Sequence, residues 1–352
     1  MKRFGLVNLL FLILQPLAVF AFDIGRQTVG LGTRMDLRLG VAAGESDPAT
    51  FVPVSIIRGA QSGPVLLIST GVHGYEFAPI IAAERLADEL DPALIRGTVV
   101  LTRPGHVSAF EARSPYVNPY DRKNLNRSFP GDASGTQTER IARVLSTELI
   151  AKADFIADVH SGDGAEWLQA FVGVYGGPLA TDYEIALAFA EAMGIPTLVR
   201  YQMRTQQQID SGRSLNRQAV AAGVPTVLVE IGENGGRDQS HVDAIVTGIQ
   251  SAMVSLGMLP DEFSLPAIEH RYFEGTQSVP VSHSGLWHPR ATSGREIKEG
   301  EVLGVVKDYT GTIVETVIAP TSGHSIYGLA GPPIRAGESV MTIAKPTASL
   351  RD

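Results

Sequence analysis

The chain contains no cysteine in 352 residues. That absence excludes a disulfide framework, a thiolate zinc site, an iron–sulfur cluster and a cysteine nucleophile. Basic clusters are also missing beyond Lys2-Arg3, and 37 Asp and Glu outnumber 29 Lys and Arg. A formal net charge of −8 argues against nucleic acid as the main partner. No serine has glycine both two before and two after it, no Gly-Lys pair occurs, and no GxGxxG run exists. The nucleophile elbow, the Walker A loop and the dinucleotide fingerprint are therefore lacking. Glycine (37) and proline (21) stay below collagen-like or low-complexity levels. What is left reads as ordinary globular sequence, long enough for one large domain or two smaller ones.

Long apolar runs are scarce too. The main one, Leu6 to Phe20, follows Lys2 and Arg3, is broken by Asn8, Gln15 and Pro16, and ends in Val19-Phe20-Ala21. A basic start, a short apolar stretch and a small-residue exit fit a secretory signal peptide over residues 1–21. The run is shorter than the ~20 residues of a spanning helix. The expectation is an exported protein, periplasmic or secreted, with no stable membrane span after processing.

From Pro64 to Met258 short apolar runs alternate with amphipathic ones. Pro64–Thr70, Thr98–Thr102, Asp154–His160, Leu168–Tyr175, Pro196–Tyr201 and Pro225–Ile231 read as strands. Phe77–Leu90, Thr136–Ala151, Thr181–Met193, Ser211–Ala222 and His241–Leu256 read as helices; Thr136 and Glu139 carry capping-box spacing. This alternation predicts an α/β fold with a mixed, mostly parallel sheet flanked by helices. After Pro260 the helical periodicity stops. Gly285–His288, Glu301–Val306, Thr312–Ile318, Gly323–Tyr327 and Ser339–Ala344 are short strands bounded by turns, which predicts a small C-terminal all-β barrel or sandwich. The expected division is residues 22–260 for the α/β domain and 261–352 for the β domain.

Four stretches carry chemistry. His73-Gly74-Tyr75-Glu76 lies between a strand and a helix, where α/β sheets bind ligands. An imidazole and a carboxylate three apart there suit Zn²⁺. His160, at the end of a buried strand and before Ser161-Gly162-Asp163-Gly164, is placed for a third ligand, and Asp158 two residues back shares its strand face. Glu230 ends the apolar strand Pro225–Ile231, where a low dielectric raises a carboxyl toward general-base range; Glu233 is its rival but sits in a glycine-rich loop. In Lys123-Asn124-Leu125-Asn126-Arg127-Ser128-Phe129-Pro130-Gly131, Arg127 offers a guanidinium fork for a carboxylate and Asn126 an amide donor. The other histidines (106, 241, 270, 283, 288 and 324) form no second ligand pattern. Trp287 and Tyr309 are expected in the packing of the β domain.

HGYE, NLNRSFPG, DVHSG and VLVEIG, in that order, resemble the succinylglutamate desuccinylase/aspartoacylase family, relatives of the zinc carboxypeptidases. The resemblance covers about Gly59 to Met258, and the C-terminal segment looks like the family's small β domain. It implies a zinc-carboxypeptidase-like fold and one Zn²⁺ per chain held by His73, Glu76 and His160. It further implies Glu230 as general base and Asn126 with Arg127 as the carboxylate-binding pair. The family's carbonyl-polarising arginine matches Arg113, with Arg122 as the rival because residues 114–120 look longer than in shorter members. The activity implied is hydrolysis of the amide bond of an N-acyl amino acid, a small substrate bearing a carboxylate. An exported zinc carboxypeptidase acting on short or cell-wall peptides, and a non-catalytic exported binding protein, are the alternatives.

Overall fold

The computed structural model describes residues 22–180, 182–211 and 213–351; the expected signal peptide lies outside the described residues. In chain order the strands of the α/β region are β1 (Phe22–Ile24), β2 (Gln27–Val29), β3 (Thr33–Val41), β4 (Thr50–Arg58), β5 (Gln61–Thr70), β6 (Arg96–Thr102), β7 (Phe155–His160), β8 (Glu166–Leu168), β9 (Phe171–Gly176), β10 (Thr197–Gln202) and β11 (Thr226–Glu230). Its α-helices are α1 (Phe77–Glu89), α2 (Val107–Glu111), α3 (Gln137–Val144), α4 (Tyr183–Ala192), α5 (Gln206–Ser211), α6 (Leu215–Ala221) and α7 (Gln239–Ser255). Every residue of β7 and β9 is buried, the consequence of a sheet covered on both faces.

The sheet runs β3-β4-β6-β5-β7-β11-β9-β10 through the α/β region. Its central neighbours are parallel except for the antiparallel β9–β11 pair, and β3, β4 and β6 meet antiparallel at the edge. One face is covered by α1, α4 and α7, whose apolar stripes pack on Leu66, Ile68, Ala157 and Val229. The other carries α3 and α6 over Leu67, Val100 and Ile156. In α1 the buried residues are mostly alanines, so the helix lies close to the sheet; Pro79 falls in the first turn, where its missing N–H has no partner to lose.

The C-terminal strands are β12 (Arg271–Pro280), β13 (Gly285–Pro289), β14 (Glu296–Ile297), β15 (Val302–Lys307), β16 (Ile313–Ile318), β17 (Gly323–Leu329), β18 (Pro333–Ile334) and β19 (Ser339–Thr347). Strand β12 pairs parallel with β10, and β19, β17 and β14 continue the main sheet antiparallel. Strands β16, β15, β13 and β18 form a second sheet. Trp287, Leu303, Val306, Met341 and Ile343 fill a core of their own. Short β8 pairs with β17, tying the loop after His160 to the C-terminal region.

Several sequence expectations need correction. The strand expected over Leu168–Tyr175 is two strands, β8 and β9, because its first part turns away to pair with β17. The helix expected over Ser211–Ala222 begins at Leu215, where Ser214 accepts from the Arg217 N–H as N-cap, and a separate short helix precedes it. Strands β3 and β4, helix α2 and strand β12 lie where no element was expected. Tyr309 is 82% exposed at a turn tip rather than packed, whereas Trp287 is buried. The capping box at Thr136 and Glu139 is present.

Candidate metal centre and its cavity

The residues singled out in the sequence meet where β5, β7 and β11 end. Their register explains this: β5 and β7 run side by side with Thr70 opposite Val159, and Glu230 lies opposite His160 across the β7–β11 pair. After β5 the chain turns at Gly71 and Gly74. A Cβ on Gly74 would lie 2.3 Å from the Ala109 carbonyl carbon, so only glycine lets this turn pass against α2. The turn delivers His73 and Glu76 to the end of β7.

There the Glu76 carboxylate sits between two imidazoles. His73 Nδ1 is 2.6 Å from one oxygen and His160 Nδ1 is 2.9 Å from the other. One ligand atom from each of the three residues lies within 4.8 Å of the other two, the one such group among the described residues. Glu76 and His160 are buried and His73 is partly so. Burial alone would raise the Glu76 carboxyl, yet the two imidazoles hold it down at about 2. Both outer ring nitrogens face oxygen: His73 Nε2 is 3.3 Å from Asn124 Oδ1, and His160 Nε2 is 3.1 Å from Asp158 Oδ2. Histidine ligands of metals are oriented in this way. Two imidazoles and a carboxylate brought within 4.8 Å of one another, each imidazole with an oxygen near its outer nitrogen, fit a divalent cation such as zinc.

The triad opens into a cavity of about 1200 Å³ lined also by Glu230, Arg113, Asn126 and Arg127. Arg122 is not among its lining residues. Burial drives the Glu230 carboxyl up to about 8; the His160 charge opposes this, and Glu76, Glu166 and Asp158 add to it. Glu233 is partly buried and accepts a long 3.4 Å bond from the Leu168 N–H. Asn124 Oδ1 accepts from the Asn126 N–H at 2.7 Å, and Asn126 Oδ1 accepts from the Leu215 N–H at 2.9 Å. The amide oxygen of Asn126 thus holds the start of α6, and its NH₂ has no hydrogen-bond partner among the described residues.

The segment carrying Arg113 is anchored by a buried polar chain. His106 Nδ1 donates to the Val72 carbonyl at 3.3 Å, and the Asn118 amide donates to His106 Nε2 at 3.1 Å and to Gln137 Oε1 at 2.9 Å. Burial pushes the His106 imidazole down to about 4. Arg113 and Arg122 both adopt left-handed backbone, at φ 52° and 60°, and bracket residues 114–121.

Sequence reasoning missed part of the lining. Tyr175, Tyr201, Arg217, Glu166 and Tyr327 all contribute to it. The two tyrosines come near the ends of β9 and β10, so strand-end position was the available signal. Tyr327 arrives from the C-terminal region through the β8–β17 pair, which nothing in the local sequence announces.

Residues 62–256 match the family model described as succinylglutamate desuccinylase/aspartoacylase catalytic domain. The chain is 26% identical over 321 residues, 89% of its length and 92% of the relative's, to an N-alpha-acetyl-L-2,4-diaminobutyric acid deacetylase of Halomonas elongata. It shares a TM-score of 0.77 at 21% identity with a succinylglutamate desuccinylase/aspartoacylase from Rhodobacter sphaeroides, covering 93% of this chain and 99% of that one. The product-bound ectoine utilization protein EutE (DoeB) of Ruegeria pomeroyi gives 0.77 at 23% identity, covering 90% and 97%. With the ordered motifs and the fold in agreement over more than half its length, the chain belongs to the succinylglutamate desuccinylase/aspartoacylase family of amide-bond deacylases.

Proposed function

We propose that this protein is a zinc-dependent hydrolase that removes the acyl group from a small N-acyl amino acid. The observation that carries the reading is the convergence of His73, Glu76 and His160 within 4.8 Å at the floor of a cavity that also presents Glu230. These three residues would hold the ion, which when bound supplies Lewis acidity, lowering the pKa of water and polarising an oxygen. Glu230, at the end of β11 beside His160, takes the proton of the attacking water and passes it to the leaving nitrogen. Arg113 places a fixed positive charge where the carbonyl oxygen gains negative charge. Arg127 and the Asn126 NH₂ hold the substrate carboxylate and so orient the scissile bond. Asp158 keeps the His160 ring turned toward Glu76.

The relative from Halomonas elongata, named for removing an acetyl group from an amino acid, supports deacylation over peptide cleavage. Incubating metal-replete protein with N-acyl amino acids and short peptides, and identifying products by mass, tests the reading. Release of a free carboxylic acid and a free amino acid is expected. Release of a C-terminal amino acid from peptides alone would favour a carboxypeptidase, and no product with any substrate would leave a binding protein. The reading includes export and cleavage after Ala21, so N-terminal sequencing of protein from the extracytoplasmic fraction should begin at Phe22.

A further inference from the structure

Arg113 reaches the cavity from a long loop, and its own side chain does nothing to hold it there. The guanidinium makes no hydrogen bond or ion pair among the described residues, so its aim depends on where the backbone puts it. That backbone is left-handed at Arg113 and again at Arg122, a conformation disfavoured for residues other than glycine and secured only by its surroundings. The Arg113 and Ser114 N–H groups donate to the carbonyls of Phe110 and Ala109, at 3.1 and 3.0 Å, and so attach the loop to α2. Beyond that point its strand pairing is a single bridge, between Val117 and Asn124.

Apolar anchoring is nearly absent from this stretch. Tyr116 and Tyr120 are 47% and 53% exposed, and from Glu111 to Asn124 the single buried residue is Asn118. Its carboxamide is fully used. Both N–H bonds are donated, to His106 Nε2 and Gln137 Oε1, and Oδ1 accepts from the Tyr120 N–H at 2.9 Å. Its backbone closes the loop tip: the N–H donates to the Lys123 carbonyl at 2.9 Å, and the C=O accepts from the Arg122 N–H at 3.0 Å. Through His106 the amide is tied to the start of α2 and to the Val72 carbonyl after β5; through Gln137 it is tied to the start of α3. One side chain thus joins the loop to three separate elements.

The returning limb has fastenings of its own. Asp121 accepts from the Thr138 N–H and hydroxyl at 2.9 and 2.8 Å, and Lys123 pairs with Glu139 at 2.9 Å. Asn124, the neighbour of His73, is therefore held without Asn118, whereas the outgoing limb beyond α2 depends on it.

We infer that Asn118 is a positioning residue for the hydrolysis: standing outside the cavity lining, it holds the loop so that the Arg113 guanidinium faces the carbonyl oxygen. The inference rests on the proposed deacylase reading, in which Arg113 meets the developing negative charge.

The test is a double-mutant cycle on the zinc-loaded full chain with an N-acyl amino acid. Asn118→Ser (N118S) removes the carboxamide and leaves room for water to satisfy His106 and Gln137. N118L, of similar size without polar atoms, takes its place if N118S folds poorly. N118S should lower kcat about 10- to 100-fold, with KM within about threefold because Asn126 and Arg127 are anchored elsewhere. Zinc should remain at one per chain. R113A should lower kcat about 10²- to 10³-fold, and N118S/R113A should be no slower than R113A. A parent kcat in N118S overturns the inference, as does a loss that adds in full to that of R113A, which would mean a merely structural role. A parent kcat in R113A removes Arg113 from the reaction and the inference with it. A second readout needs no turnover: in ¹⁵N-arginine NMR the Arg113 Nε–H signal, assigned by its loss in R113A, should move in N118S while the Arg127 signal stays. An unmoved Arg113 signal overturns the inference. A moved signal in a protein that hydrolyses no N-acyl amino acid would retain the hold of Asn118 on Arg113 and reject the deacylase reading.

Discussion

In the cavity lining His73, Glu76 and His160 answer one another's charges inside the fold, while Arg127 and Arg217, which line the same cavity, form no ion pair with a carboxylate among the described residues. The first arrangement is completed by the protein itself: Asn124 and Asp158 face the outer ring nitrogens, and Gly74 sets the turn. The second is left incomplete. Groups that must hold one geometry through every turnover are locked by neighbours. Groups that must let a product leave are kept free of an internal counter-charge, so that the bound molecule supplies the missing charge.

This contrast can be broken or sharpened by substitution. Removing a locked donor should have the largest effect. His160→Ala is expected to reduce bound zinc from one per chain to near zero, by elemental analysis, and to cut hydrolysis by more than about 10³-fold. Full zinc occupancy in that variant would sink the metal reading. Glu230→Gln should come next, keeping zinc at the parent level while kcat falls by about 10²- to 10⁴-fold. A parent rate in a zinc-loaded Glu230→Gln sample would show that another group moves the proton. Asp158→Asn acts one step behind the donors. Metal-buffer titration should show zinc affinity weakened by roughly 10- to 100-fold, and unchanged affinity would remove Asp158 from its orienting role.

A smaller effect is expected from pH, through His106. Its folded-state pKa of about 4 lies below the ordinary 6.5, so the unfolded chain binds the extra proton more readily. The stability linked to neutral His106 is fully present above about pH 6.5 and is lost as pH falls toward 4. Denaturation of protein stripped of metal should show about 2 kcal/mol less stability at pH 4.5 than at 7 from this group. A His106→Gln variant should lose that part of the slope, and an unaltered slope would count against a neutral His106. The smallest change belongs to Tyr309→Ser at the exposed turn, within about 0.5 kcal/mol of the parent in thermal unfolding.

The sequence made the floor of the cavity legible because its chemistry is concentrated in short motifs at strand ends. HGYE and DVHSG carry the three donors, and a buried strand that ends in Glu230 advertises an unusual carboxylate. The apolar runs of β5, β7 and β11 were equally plain, since strands buried on both faces read as continuous hydrophobic stretches. The wall was harder. Arg217 lies on an unremarkable amphipathic helix, and Tyr175 in a strand where an aromatic residue normally means packing. Both acquire meaning only when β9, α6 and the Arg127 loop are brought together. Strands β3 and β12 escaped for a different reason: β3 is an edge strand with mostly polar residues on one face, and β12 is too exposed to stand out by hydropathy. The split of residues 168–175 depended on a distant partner, Tyr327–Leu329, which no local window contains.

That pairing of β8 with β17 has a consequence for how the protein can change. Tyr327, Leu329, Pro333 and Glu338 reach the cavity from a stretch of chain more than ninety residues beyond Glu230. The part of the gene that encodes this share of the lining is thus separate from the part that encodes the reacting groups. Recombination or laboratory grafting of the 327–338 turn can alter which molecules are admitted and leave the reacting groups untouched, so new selectivity can be acquired without rebuilding the chemistry.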